Sequence, residues 1–105
     1  HASLIAAIIG HCDLVVWHNG DGFDGPILVN EFNRVGVPLT IPKSFDTMMK
    51  GRGCTPDGKV PSLAELCWCF GVPYDTSKAH AALYDITVMK DAFFAGVAAG
   101  YFTKP

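Results

Sequence analysis

The 105 residues predict an α/β fold with few strands, on three observations. The run Leu14-Val15-Val16-Trp17-His18 is continuously apolar and rich in β-formers, the pattern of a strand covered on both faces. Helical patterns surround it, the longest placing Ala82, Ile86, Met89, Phe93 and Val97 on one face by steps of three and four. Half of the residues are hydrophobic and 17% are charged, a balance that supports a packed core and excludes a disordered chain.

Taken in order, residues 2–9 are expected as a short helix closed by Gly10, and His11-Cys12-Asp13 as a turn. After the strand at 14–18, Asn19-Gly20-Asp21-Gly22 reads as a loop, because Asn and Gly tolerate the backbone of tight turns. Phe23 to Val35 reads as a helix, with Pro26 in its first turn, Leu28, Phe32 and Val35 inward, and Glu31 and Arg34 outward. Gly36-Val37-Pro38 stops it. Ser44-Phe45-Asp46 is a short strand leading into a brief helix at Thr47–Lys50. Residues 51–61 form a loop rich in Gly and Pro, where Lys50, Arg52 and Lys59 could meet a phosphate backbone or simply be solvated. Ser62 and Glu65 have capping-box spacing and open a helix through Phe70, closed by Gly71 and Pro73. Ala79 to about Ala99 is the long helix, with Gly96 and Gly100 weakening its end. Two strands make a poor sheet alone, so partner strands beyond these residues are expected. The chain also opens inside an apolar helical pattern and without Met, as a partial chain would.

Composition excludes several classes. The net charge of −2, with no Lys/Arg stripe, argues against a broad electrostatic grip on a duplex, so a nucleic acid would have to be held locally, at a strand end. Cys12, Cys54, Cys67 and Cys69 contain no Cys-x-x-Cys pair and no nearby His at finger spacing, which disfavours zinc. No apolar run approaches the roughly 20 residues that span a bilayer, and nothing resembles a signal peptide. A soluble, reducing, cytoplasmic setting with no membrane partner is the expectation.

Two polar clusters stand at element junctions, where a rigid scaffold can expose them to a ligand. One is His18-Asn19-Gly20-Asp21-Gly22-Phe23-Asp24 and the other is His80-Ala81-Ala82-Leu83-Tyr84-Asp85. Taken singly, each residue has an ordinary reading. Asn19 and Asp24 are typical turn and helix-start residues, His80 a polar residue near a helix start, His18 and Trp17 packing residues, and Asp21 a solvated loop residue. Asp46 reads as structural, and Tyr84 as packing beneath the second cluster.

Taken jointly, the clusters resemble the later two motifs of the DnaQ-like, or DEDDh, 3′→5′ exonucleases, a family that includes proofreading exonucleases and RNase T. The second motif is an Asn, an aromatic and an Asp after a strand, here Asn19, Phe23 and Asp24. The third is a His and an Asp with four residues between, here His80 and Asp85. Residues 23–38 resemble the helix after the second motif, Asp46-Thr47 the short strand that follows, and residues 62–73 the helix and turn before the third motif. Residues 74–85 look especially like RNase T-type members. The Tyr-for-His subclass is excluded because position 81 is Ala.

The resemblance implies a ribonuclease H-like exonuclease fold, present in part, with residues 1–105 forming the C-terminal two-thirds of a single domain. It implies two divalent cations, Mg²⁺ or Mn²⁺, about 4 Å apart at the scissile phosphate. Asp24 and Asp85 would be metal ligands, His80 the general base, and Asn19 and Phe23 substrate-positioning residues. The substrate would be a single-stranded DNA or RNA 3′ end, the product a nucleoside 5′-monophosphate, and proofreading relatives imply a DNA polymerase as partner.

The family's first motif, Asp-x-Glu, is absent. The only glutamates are Glu31 and Glu65, and the residues two before them are Val29 and Leu63. The expectation is therefore that the opening strands carrying it lie outside the chain, and that these 105 residues alone bind metal weakly and are inactive or nearly so. The alternative is a non-catalytic exonuclease-like module that binds nucleic-acid ends or a protein. A chance match by an unrelated small α/β domain would require both motifs and the elements between them to coincide.

Overall fold

In the computed structural model, which describes residues 1–103, the apolar opening forms helix α1 (Ala2–Gly10). Gly10 was expected to cap this helix but is its last residue; the cap falls on His11, whose amide donates to the Ala7 carbonyl at 3.1 Å. No α1 residue is buried, and Leu4, Ile5 and Ile8 are all exposed.

Strand β1 (Val15–Trp17) is shorter than the apolar run that predicted it, and only Trp17 is buried. It leads through a π-helical turn (Gly20–Asp24) into helix α2 (Gly25–Arg34), which returns the chain to strand β2 (Ser44–Asp46). The strands pair in parallel, with Val15 opposite Ser44, Val16 opposite Phe45 and Trp17 opposite Asp46. Parallel strands need a crossover of this kind, so these residues form a βαβ unit on a two-stranded sheet. Two expectations change here. Asn19–Gly22 is no open loop, and α2 starts at Gly25 instead of Phe23, because residues 20–24 wind as a π turn. Val35, expected to face inward, is exposed at the C-cap.

The chain divides into two units, His1–Asp46 and the part from Thr47 onward. The second unit is helical. It contains α3 (Thr47–Lys50), a 3₁₀ turn (Arg52–Cys54), α4 (Leu63–Cys69), a 3₁₀ turn (Thr76–Lys78) and α5 (Ala82–Ala98). The capping box at the start of α4 is present. Ser62 Oγ accepts the Glu65 amide at 3.1 Å, and Glu65 Oε1 accepts the Ser62 amide at 3.0 Å. That backbone bond, helped by Lys59 at 3.6 Å, holds the Glu65 carboxyl below its ordinary range. Ser62→Ala is expected to cost about 1 kcal/mol, measured as a lower urea midpoint at unchanged slope.

The core of this unit forms where α4 meets α5, around Leu66, Cys67, Val88, Ala92 and Phe93, extended by Phe102 beyond α5. Phe93 stacks on Phe102 at 6.2 Å between centroids, and Phe70 packs on Phe102 at 5.3 Å. The predicted inner face of α5 is displaced. Phe93 is buried as expected, but Ile86 is 60% exposed, and the buried stripe runs through Val88, Ala92 and Gly96. Gly96 is the reason: a Cβ there would lie 2.3 Å from the Phe102 ring. The glycine expected only to weaken the helix is what lets that ring close over it.

Candidate active site

The first cluster lies where β1 gives way to the π turn. Asn19 has φ 66° and ψ 20°, the left-handed region that Asn tolerates better than most residues. Its side chain makes no capping bond to the turn that follows. Asp24 precedes α2 with helical φ and ψ, and its carboxylate likewise caps nothing. Asn19 thus stands in a turn and Asp24 at a helix start, as their ordinary readings have them, but neither side chain acts as a cap. Asp24 is exposed, and beside it Phe23 is 59% exposed, an aromatic ring offered to solvent one residue from a carboxylate.

The turn rests on polar contacts to both strands. The buried Asp46 accepts the Asn19 amide at 2.8 Å through Oδ1 and the Asp21 amide at 3.1 Å through Oδ2. Asp21 is exposed, as expected, and its Oδ1 also accepts the Trp17 indole N–H and the Ser44 hydroxyl, each at 2.8 Å. The Trp17 ring lies against Gly20, as expected of a core residue. An open cleft of about 430 Å³ in the same unit is lined by Trp17, Asp21, Pro26, Val29, Ile41 and Pro42, and excludes Asn19, Phe23 and Asp24. These motif residues are exposed on the turn and do not line that cleft.

The second cluster opens α5. His80 was expected inside the helix but precedes it, exposed, in a turn at φ 69°. Among the described residues other than Gly, Asn19 and His80 are the two with positive φ. Left-handed backbone at a non-glycine residue is costly and gathers at functional sites, and here both instances fall on motif residues. The helix begins at Ala82, and the Asp85 amide closes its first turn by donating to the Ala81 carbonyl at 2.9 Å.

Asp85 is half-buried, and its Oδ1 is buried with no hydrogen-bond partner. Native proteins rarely leave such an atom unsatisfied. Its charge is felt nearby. Burial, then Asp91 and Asp85, push the Cys67 thiol up to about 11. Desolvation, then Asp85, raises the Tyr74 phenol. Tyr84 packs as expected, its ring 5.8 Å from that of Tyr74, while its hydroxyl accepts the Asp75 amide at 2.6 Å. Two of the loop cations are engaged locally: Lys59 meets Glu65 at 3.6 Å, and Arg52 donates to the Gly58 carbonyl at 3.3 Å. Cys54, beside Cys69, is pushed up to about 12 chiefly by burial.

Both clusters present carboxylate oxygen, the donor that Mg²⁺ and Mn²⁺ prefer, and the orphaned Asp85 oxygen fits a cation ligand. The donor set is incomplete, since among the described residues no three His, Cys, Asp or Glu side chains gather as a metal site. The RNase_T family model, described as exonuclease, matches residues 2–93 and so covers both clusters. The chain belongs to this exonuclease family. This exonuclease-family chain is 32% identical over 82 residues to a PolC-type DNA polymerase III of Mycoplasma genitalium. It is 36% identical over 81 residues to the PolC-type polymerase of Ureaplasma parvum serovar 3. These alignments cover 77% and 76% of the chain, which spans 6% of each relative's length. No solved structure matches it. Among the described residues no helix is long and apolar enough to cross a membrane.

Proposed function

We propose that the chain is the C-terminal two-thirds of a DEDDh-type 3′→5′ exonuclease domain of ribonuclease H-like fold. In this reading it removes nucleoside 5′-monophosphates from the 3′ end of single-stranded DNA or RNA. The observation that carries the reading is the buried, unpartnered Asp85 oxygen, five residues after an exposed histidine in strained backbone. A merely structural carboxylate would have a donor there. The names of the polymerase relatives support DNA as the substrate and a DNA polymerase as the partner.

Asp24 and Asp85 would hold divalent cations, which when bound polarise the phosphate and acidify the attacking water. The remaining carboxylates, as Asp-x-Glu, must come from outside these residues. The exposed apolar side of α1 and the two-stranded sheet offer surfaces against which such a segment could pack. His80, exposed ahead of α5, takes the water's proton as its oxygen attacks phosphorus. The bond to the 3′ oxygen of the preceding nucleotide breaks, and that oxygen leaves as a hydroxyl after gaining a proton. Phe23 stacks on the terminal base, and Asn19 shapes the turn that presents Asp24.

In the full-length protein, His80→Ala is expected to slow mononucleotide release from a single-stranded oligonucleotide about 10²- to 10⁴-fold. An unchanged rate would remove His80 from the mechanism. End binding without any release by the wild-type protein would favour the non-catalytic module instead.

A further inference from the structure

We propose that Asp46 is a positioning residue for the turn that carries Asn19, Phe23 and Asp24. Its carboxylate acts as an internal anion, over which the backbone of residues 19–21 folds. The proposal deepens the exonuclease reading and rests on it for the importance of Asp24; the folding of the turn around Asp46 does not depend on that reading.

Three observations carry it. Asp46 is 2% exposed, yet both of its oxygens are committed to this turn, Oδ1 to the Asn19 amide at 2.8 Å and Oδ2 to the Asp21 amide at 3.1 Å. Backbone N–H groups brought to one side by a left-handed residue form a concave anion site, and Asn19, at φ 66° and ψ 20°, is that residue. The filling anion belongs to the chain itself. Register explains why it comes from β2: Trp17, the last residue of β1, stands opposite Asp46. The contact therefore reaches across 27 residues of sequence with no intervening segment in space.

A second carboxylate secures the other side. Asp21 accepts from Trp17 on β1 and from Ser44 on β2, both at 2.8 Å. With its backbone held by Asp46 and its side chain by both strands, the turn enters α2 in one conformation. Asp24 and Phe23, which bond to neither clamp, are left facing solvent. A neutral amide at position 46 would turn an NH₂ group toward one of the two N–H donors, so Asp46→Asn removes one bond while leaving volume unchanged. Because hydrogen bonds to a charged acceptor are the stronger ones, the remaining bond weakens as well.

The test is hydrogen exchange by mass spectrometry, joined to a metal titration of nuclease activity, on the full-length protein. In Asp46→Asn, amides of residues 18–22 are expected to exchange about 10-fold faster while peptides from residues 63–69 and 82–98 are unchanged. The Mg²⁺ concentration giving half-maximal activity is expected to rise about 10-fold, and excess Mg²⁺ should restore much of the rate, as for a displaced ligand. Wild-type protein supplies an arm independent of any variant: the Asn19 and Asp21 amides should exchange about 100-fold slower than unprotected amides. Unprotected amides in wild type, a uniform loosening of all peptides in the variant, or an unshifted Mg²⁺ dependence would each overturn the proposal. Full activity in Asp24→Ala would instead overturn the exonuclease reading, with the exchange measurements still deciding whether Asp46 holds the turn.

Discussion

Asp85→Asn in the full-length protein is expected to abolish nucleotide release, by about 10³-fold or more, while leaving the fold as stable as before or more so. The two effects have opposite signs because the charge is poorly accommodated where it stands. A carboxylate in the first turn of α5 gains about 0.3–1 kcal/mol from the helix dipole. Against this, a buried oxygen with no donor costs about 1–3 kcal/mol, and more when it is charged. The neutral amide keeps a buried polar atom there but carries no charge, so no net loss of stability is expected. It would also relieve the negative field acting on Cys67 and Tyr74. Parallel thermal melts and mononucleotide release measure the two sides. A large drop in melting temperature would mean that Asp85 has a structural donor after all, and retained activity would remove it from the ligand set.

Gly20→Ala is expected to produce the largest loss of stability in the first unit, about 3 kcal/mol or more. The added Cβ would lie 1.9 Å from Trp17 Cδ2 and 2.0 Å from Cγ, separations at which one side must move. The indole is poorly placed to do so, being buried, with its N–H bonded to Asp21. Displacing it would break the Asp21 clamp and, with it, the path from β1 to Asp24. Gly22→Ala is the control. A Cβ there meets only Asn19 Oδ1, at 3.6 Å, so its effect should stay within about 0.5 kcal/mol. Urea unfolding of both variants separates the cases, and equal midpoints would mean that Trp17 yields more readily than its contacts suggest.

The parts of this molecule that were legible in the sequence are those encoded over a few residues. The Ser62–Glu65 capping box, the stop at Gly71 and the brief helix at Thr47 depend on neighbours within a turn or two, and they form where expected. The short strand at Ser44–Asp46 also forms where expected, though its pairing partner is the distant β1. The buried face of α5 was not legible. Leu83, Ile86 and Phe94 are apolar and exposed, so hydrophobic residues encircle this helix and their period does not single out one side. Packing of Phe102 against Gly96 makes the choice, and a scale of hydrophobicity does not register what a missing side chain permits. The positive φ of His80 was likewise unmarked, since no glycine or asparagine stands at that position.

By itself, the sequence determined the family, through Asn19-Phe23-Asp24 and His80-Asp85, and the local caps and turns that bracket them. Only the tertiary structure decided what each acidic side chain does. Asp21, Asp24, Asp46 and Asp85 are alike in sequence, yet Asp46 and Asp21 fasten a turn, Asp24 faces water, and Asp85 keeps a buried oxygen without a donor. The physical reason is that a carboxylate's role follows from which donors reach it. Those that reach Asp46 come from residues 25 and 27 positions away, brought alongside by the pairing of two three-residue strands.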